Sequence, residues 1–288
     1  MSNNFAKPPN AREDWTIDQA WAAYTDQEHE TWSILYERLM QVLPGRAAPE
    51  FLNGLEALNL HRGGIPDFEV ISDELEKLTG WRVVAVPGLV PDEVFFDHLA
   101  NKRFPAGNFI RRRDQLDYIQ EPDVFHDVFG HVPMLTNPVF ANYMQAYGQG
   151  GLRSLRHASL KNLAAIYWYT VEFGLIQTDQ GLRIYGAGIV SSTAESIFAL
   201  EDASPNRIGF GVERLMRTDY RIDDFQQTYF VIDSYDQLFR ATVDTDFAPL
   251  YAQMNGKFDL KPDDVIIGDK ILHDGTQAYA NRGGRFAA

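Results

Sequence analysis

The chain has 288 residues, 45% of them hydrophobic and 23% charged, a composition that fits a globular protein with a deep core and excludes extensive disorder. A net charge of −14, from 26 Lys+Arg against 40 Asp+Glu, argues against binding to a nucleic-acid backbone or to an anionic membrane surface. Cysteine is absent, which excludes disulfides, thiolate zinc sites, iron–sulfur clusters and cysteine nucleophiles, so any metal must be held by His, Asp or Glu.

Residues 1–14 are polar, carry Pro8-Pro9, and read as a flexible amino-terminal arm without an apolar signal core. From Thr16 to about Leu43 apolar residues recur at helical spacing, and Leu43-Pro44-Gly45 stops the helix. Further helices are expected over about Glu50–Leu58 and Phe68–Leu78, the latter closed by Gly80. Trp81–Val86, β-branched and aromatic, reads as a strand before Pro87-Gly88. A helix over Pro91–Ala100 and an extended Phe109–Arg113 lead to a short helix over Glu121–Phe129 that Gly130 ends. Helices follow over Phe140–Tyr147 and Ser159–Ile176, then a glycine-containing strand over Leu182–Val190 and a helix over Thr193–Leu200. Thr228–Ile232 reads as a strand and Tyr235–Val243 as a helix. Residues 246–288, punctuated by Pro249, Gly256, Pro262 and Gly268, are expected as a polar, partly ordered tail. The pattern gives a mainly α protein with a few short β-strands (α+β), with one domain over 15–245. No apolar run is long enough to span a membrane, so a cytoplasmic protein is expected.

Among the seven histidines, only His126 and His131 are close, in Glu-Pro-Asp-Val-Phe-His-Asp-Val-Phe-Gly-His-Val-Pro. On an unbroken α-helix, residues five apart point about 140° away from each other. Gly130 in a left-handed conformation, followed by Pro133, would end the helix and let His131 swing back toward His126. Apolar neighbours on both sides favour a role over two stray surface histidines, because half-buried imidazoles need partners. Asp127, Glu121 and Asp123 are nearby candidates for a third ligand. Glu172 is more telling: it sits among Trp168, Tyr169, Leu175 and Ile176 with no Lys or Arg one turn away, and such a carboxylate must pair, protonate or hold a metal. Two imidazoles and a carboxylate suit non-haem iron(II), and zinc hydrolases use the same ligand types.

Arg111-Arg112-Arg113 is a solvated face on the ordinary reading, or it turns one arginine inward to hold a carboxylate bidentately. Gly186-Ala187-Gly188 fails as a dinucleotide signature because Ser191 stands where a third glycine is needed, although close backbone approach to a ligand remains open. Tyr167, Trp168 and Phe173 flank Glu172, a stripe more often found in core packing than around a substrate. Serine-hydrolase and P-loop motifs are absent.

Glu-Pro-Asp-x-x-His-Asp-x-x-Gly-His-Val-Pro, then Ile-Tyr-Trp-Tyr-Thr-Val-Glu-Phe-Gly-Leu and Tyr-Gly-Ala-Gly-x-x-Ser-Ser, resembles the pterin-dependent aromatic amino acid hydroxylases over most of the chain. The resemblance implies that His126, His131 and Glu172 bind iron(II) and that Arg111 salt-bridges the amino acid carboxylate. It places Trp168, Phe173, Gly188 and Ser191 in the substrate pocket. It places Gly88 and Leu89 in the pterin loop (88–95), with Phe95 stacked on the pterin and Asp127 and Tyr167 beside it. Asp127 stands where animal members carry glutamate, and Ile119 replaces a threonine that touches substrate in them. Ile222 is apolar where tyrosine hydroxylases place an acid.

The implied activity is hydroxylation of L-phenylalanine to L-tyrosine with O₂ and a tetrahydropterin, in a single catalytic hydroxylase domain. A monomer is expected, since the regulatory domain and tetramerisation helix of animal members have no counterpart. The same chemistry on tryptophan, a zinc hydrolase on the same ligands, and a catalytically silent amino acid or pterin binder are the alternatives.

Overall fold

The computed structural model describes residues 6–61, 63–119, 121–157 and 160–284. Ser159, the expected start of the most apolar helix, lies outside them, as do residues 1–5 of the expected arm and 285–288 of the expected tail. The chain is mainly α-helical with short strands, in agreement with the sequence pattern, and divides into two compact units, Met1–Pro44 with Pro49–Arg153 and Gly45–Ala48 with Ser154–Ala288. Among the described residues no helix is long and apolar enough to cross a membrane.

In the first unit the helix expected from Thr16 is interrupted. A 3-10 turn over Trp21–Ala23 precedes α1 (Asp26–Met40), because Thr25 forms a reciprocal cap. Its Oγ1 accepts from the Glu28 N–H at 3.3 Å, while the Glu28 carboxylate accepts from the Thr25 N–H at 2.7 Å. Helix α2 (Pro49–Ala57) and helix α3 (Phe68–Thr79) follow; α3 ends on Gly80 at φ 76, whose N–H returns to the Leu75 and Glu76 carbonyls. Strands β1 (Arg82–Val86) and β2 (Arg103–Gly107) pair in parallel, with α4 (Asp92–Ala100) as the crossover. Trp32, Phe51, Leu75, Trp81, Phe125 and Phe129 are fully buried in this unit. Helix α5 (Pro138–Ser154) extends past both ends of the expected segment.

The second unit is built on a five-stranded mixed sheet. Helix α6 (Leu160–Tyr167) leads to strands β3 (Leu175–Thr178) and β4 (Gly181–Ile184). Two helices, α7 (Ala187–Val190) and α8 (Thr193–Glu201), precede β5 (Asn206–Gly209), α9 (Val212–Met216) and β6 (Thr228–Ile232). Helices α10 (Tyr235–Val243) and α11 (Phe247–Met254), strand β7 (Ile271–His273) and α12 (Ala278–Asn281) complete it. The strand order is β4-β3-β6-β5-β7, with β6 parallel to both β3 and β5 and the outer strands antiparallel. Every residue of β6 is buried, which is why Thr-Tyr-Phe-Val-Ile shows no polar alternation.

Two expected elements are corrected here. The helix expected to run to Ile176 stops at Glu172, and Leu175 and Ile176 belong to β3, where Leu175 pairs with Val231. The strand expected over Leu182–Val190 ends at Ile184; Ala187–Val190 is a helical turn, so short apolar runs were ambiguous between the two periods.

Candidate metal centre and surrounding residues

His126 and His131 lie on Phe125–His131, which is a π-helix, not an α-helix that Gly130 terminates. Gly130 is absent from the residues with positive φ, and the helix runs through it. In a π-helix the backbone hydrogen bonds run from i to i+5, which stacks residue i+5 over residue i. The spacing that would splay two imidazoles on an α-helix therefore brings them together. Their Nε2 atoms are 3.2 Å apart and the rings meet edge-on, with centroids 5.0 Å apart. The segment is fixed from its amino-terminal side. Val124 N–H donates to Phe109 O at 2.8 Å, and His126 N–H donates to Asp123 Oδ1 at 3.0 Å. Pro133 opens the next 3-10 helix, Val132–Thr136, instead of stopping the chain.

Glu172 is the last residue of a second π-helical stretch, Trp168–Glu172, which closes with Phe173 N–H on Trp168 O at 2.9 Å. The chain then passes close behind it. A Cβ on Gly186 would lie 2.5 Å from Glu172 O, and one on Gly188 would lie 2.8 Å from the Phe173 ring and 3.1 Å from Glu172 O. These glycines permit that approach.

His126, His131 and Glu172 each offer one ligand atom, and these atoms lie within 4.8 Å of one another. Two imidazole nitrogens and one carboxylate oxygen form a donor set that fits iron(II). The carboxylates near the histidines in sequence serve elsewhere. Asp127 Oδ2 accepts from the Gly107 N–H at the end of β2 at 2.8 Å, Glu121 is exposed, and Asp123 is paired with Arg111.

That pairing separates the three consecutive arginines. Arg111 is buried and donates Nε to Asp123 Oδ2 at 2.9 Å and Nη2 to Asp123 Oδ1 at 2.8 Å. Burial pushes the Asp123 carboxyl up, but the hydrogen bonds and charge of Arg111, with the N–H groups of Arg111 and His126, outweigh it and leave it below its usual range. Among the described residues Arg111 Nη1 makes no hydrogen bond or ion pair, which leaves it as a donor beside a neutralised fork. Arg112 and Arg113 turn outward to Asp114 and Glu30. Sequence reasoning named Asp123 only as a possible ligand; its pairing with Arg111 has no local spacing rule to announce it.

Trp168 is half-buried and meets two rings, Phe173 at 4.7 Å and Tyr220 at 4.8 Å between centroids. Ser191 Oγ donates to Ala187 O at 2.7 Å within the α7 turn. Gly88 adopts φ 145 and Leu89 beside it is 53% exposed. Phe95 on α4 is half-buried with its ring edge-on to Phe96, and Tyr167, at the end of α6, is also half-buried. Ile119 is half-buried, whereas Ile222 is 70% exposed. Gln226 and Tyr220, both against the Trp168 indole, went unmarked in the sequence because neither type nor spacing distinguishes them.

The family model of biopterin-dependent aromatic amino acid hydroxylases matches residues 16–267. The chain belongs to that family. It is 65% identical over 280 residues to the phenylalanine-4-hydroxylase of Caulobacter vibrioides, covering 97% of this chain and 95% of that one. A crystal structure of phenylalanine hydroxylase from Chromobacterium violaceum with iron and phenylalanine bound is similar at a TM-score of 0.87 and 52% identity, over 91% of this chain and 96% of that one. Another structure of the same enzyme, with iron(III) and the oxidised cofactor 7,8-dihydrobiopterin bound, is similar at a TM-score of 0.87 and 53% identity, over 94% of this chain and 96% of that one.

Proposed function

We propose that this chain is a phenylalanine 4-monooxygenase that converts L-phenylalanine and O₂ to L-tyrosine with a tetrahydropterin as reductant, iron(II) being held by His126, His131 and Glu172. The observation that carries the reading is that donor group, in a chain 65% identical to a phenylalanine-4-hydroxylase. Iron(II) bound there supplies, with the tetrahydropterin, the activation of O₂ for transfer of one oxygen atom to C4 of the substrate ring.

The chain's own residues bind and orient. Arg111 takes the substrate carboxylate through Nη1 while Asp123 occupies its other edge, so the guanidinium is already aimed and loses little freedom on binding. Trp168 and Phe173 hold the ring; Gly188 leaves space against Phe173, and Ser191 closes the α7 turn beside it. Phe95 offers a face for the pterin, the Gly88–Leu89 backbone follows its edge, and Asp127 and Tyr167 complete its polar surround. The apolar residues about the histidines, Val124, Phe125, Val128 and Phe129, are fully buried and exclude water from the reacting centre. The working form on this reading is a cytoplasmic monomer, which sedimentation checks.

Anaerobic loading with iron(II), followed by tetrahydropterin, phenylalanine and air, tests the assignment by chromatography. Iron-dependent tyrosine, formed with oxidation of the pterin, is the expected result. Stoichiometric iron without any hydroxylated product from phenylalanine overturns it.

A further inference from the structure

Trp168 is held from behind by buried polar groups to which the roles above give no work. Its indole Nε1 donates to Gln226 Oε1 at 2.9 Å. Gln226 is 2% exposed, and its amide orientation is decided by its neighbours. Nε2 donates to Arg221 O at 2.9 Å and lies 3.4 Å from Asp224 O, so Oε1 is the end that meets the indole. The Gln226 N–H reaches Glu195 Oε1 at 3.4 Å, and the same oxygen accepts from Tyr229 OH at 2.8 Å. Glu195 and Tyr229 are buried, the first on α8 behind its Ser192 cap and the second in the central strand β6. The indole thus has two ring neighbours, Phe173 and Tyr220, and one acceptor along its N–H. Rotating the indole about its long axis would bury that N–H without a partner, which a hydrogen-bonded alternative strongly disfavours.

We propose that Gln226 is a positioning residue for ring hydroxylation: by fixing Trp168 Nε1 it sets the orientation of the indole wall, and through it the place where the ring carbon of the substrate comes to rest. The inference rests on the placement of Trp168 against the substrate ring in the proposed function. Small displacements of a reacting atom cost rate steeply, so a freed indole lets tetrahydropterin be consumed without tyrosine being formed.

The test is a double-mutant cycle in the iron-loaded enzyme, with Gln226→Met, which keeps length and removes the acceptor, and Trp168→Phe, which removes the donor. The readouts are kcat, KM for phenylalanine, and tyrosine formed per tetrahydropterin oxidised, with iron content and Tm read alongside. Gln226→Met is expected to raise KM about three- to tenfold, the span of one hydrogen bond, and to lower the yield of tyrosine per pterin while pterin oxidation continues. In the Trp168→Phe background the same substitution should add nothing, since the two act through one contact. Unchanged KM and yield in Gln226→Met, or effects that simply add in the double variant, overturn the proposal. If Gln226→Met does not fold, Gln226→Asn keeps the amide and shortens its reach, and the same comparison decides. Wild-type phenylalanine kinetics in Trp168→Phe alone overturn instead the placement of Trp168 against the substrate.

Discussion

Arg111 and Asp123 are joined fork to fork, with side chains 6% and 0% exposed, and Asp123 also accepts from the backbone N–H groups of Arg111 and His126. One carboxylate therefore orients the proposed substrate-binding arginine and the first ligand segment together. Asp123→Asn removes the countercharge and leaves a buried guanidinium unpaired, which costs about 3–5 kcal/mol when one partner of a buried pair is lost. The expected outcome is a lower urea midpoint together with a raised KM for phenylalanine. Chemical denaturation and steady-state kinetics on the same preparation check both.

Loss of any one of the three ligand atoms should release iron. His131→Ala and Glu172→Gln are each expected to fall well below stoichiometric iron after gel filtration, with hydroxylation lost and helical circular dichroism kept. For the parent protein, chelation should lower Tm and re-addition of iron(II) restore it, because a ligand bound only by the folded state stabilises that state. A ligand variant that retains both iron and turnover would remove its residue from the set.

Gly188→Ala puts a methyl group 2.8 Å from the Phe173 ring and 3.1 Å from the Glu172 carbonyl. Overpacking of this kind typically costs about 1–3 kcal/mol. Here Phe173 is the atom group that can yield, so KM for phenylalanine is expected to rise while iron content stays near that of the parent. Metal analysis beside kinetics separates the two effects.

His98 is fully buried, with Nε2 2.8 Å from Asp14 O. Burial and then the nearby Arg103 push its pKa below the ordinary 6.5, against the pull of Asp14 and Asp97. The unfolded chain thus binds this proton more readily than the folded one. The stabilisation from the neutral form is whole above pH 6.5 and is lost as pH falls toward and through the depressed value. Urea midpoints measured from pH 7.5 to 5 should decline, and His98→Gln should flatten that slope.

Much of this arrangement is legible in the residues. The β6 strand and α10 helix fall where apolar density and capping residues place them, and Glu172 is conspicuous as a carboxylate without a local cation. The backbone that unites the histidines is not legible. A π-turn differs from an α-turn by one residue, and nothing in Phe-His-Asp-Val-Phe-Gly-His distinguishes that form from an α-helix ended by its glycine; the segment is held at its start by a long-range bond from Val124 N–H to Phe109 O and a local one from His126 N–H to Asp123. The polar partners of Arg111 and Trp168 are equally hidden, because Asp123 lies 12 residues and Gln226 58 residues away, beyond the range of periodicity or spacing rules.

Because the His126–His131 pairing depends on an added residue in the turn, no replacement of one amino acid by another converts it into the common four-residue arrangement; that requires removing a position from the chain. Substitution at Asp127, Val128 or Phe129 leaves that spacing intact and is felt instead through the Gly107 hydrogen bond or the buried packing, whereas a change of length alters the spacing itself. A single-codon deletion between the two histidines would therefore turn one imidazole relative to the other while every ligand survives in the sequence.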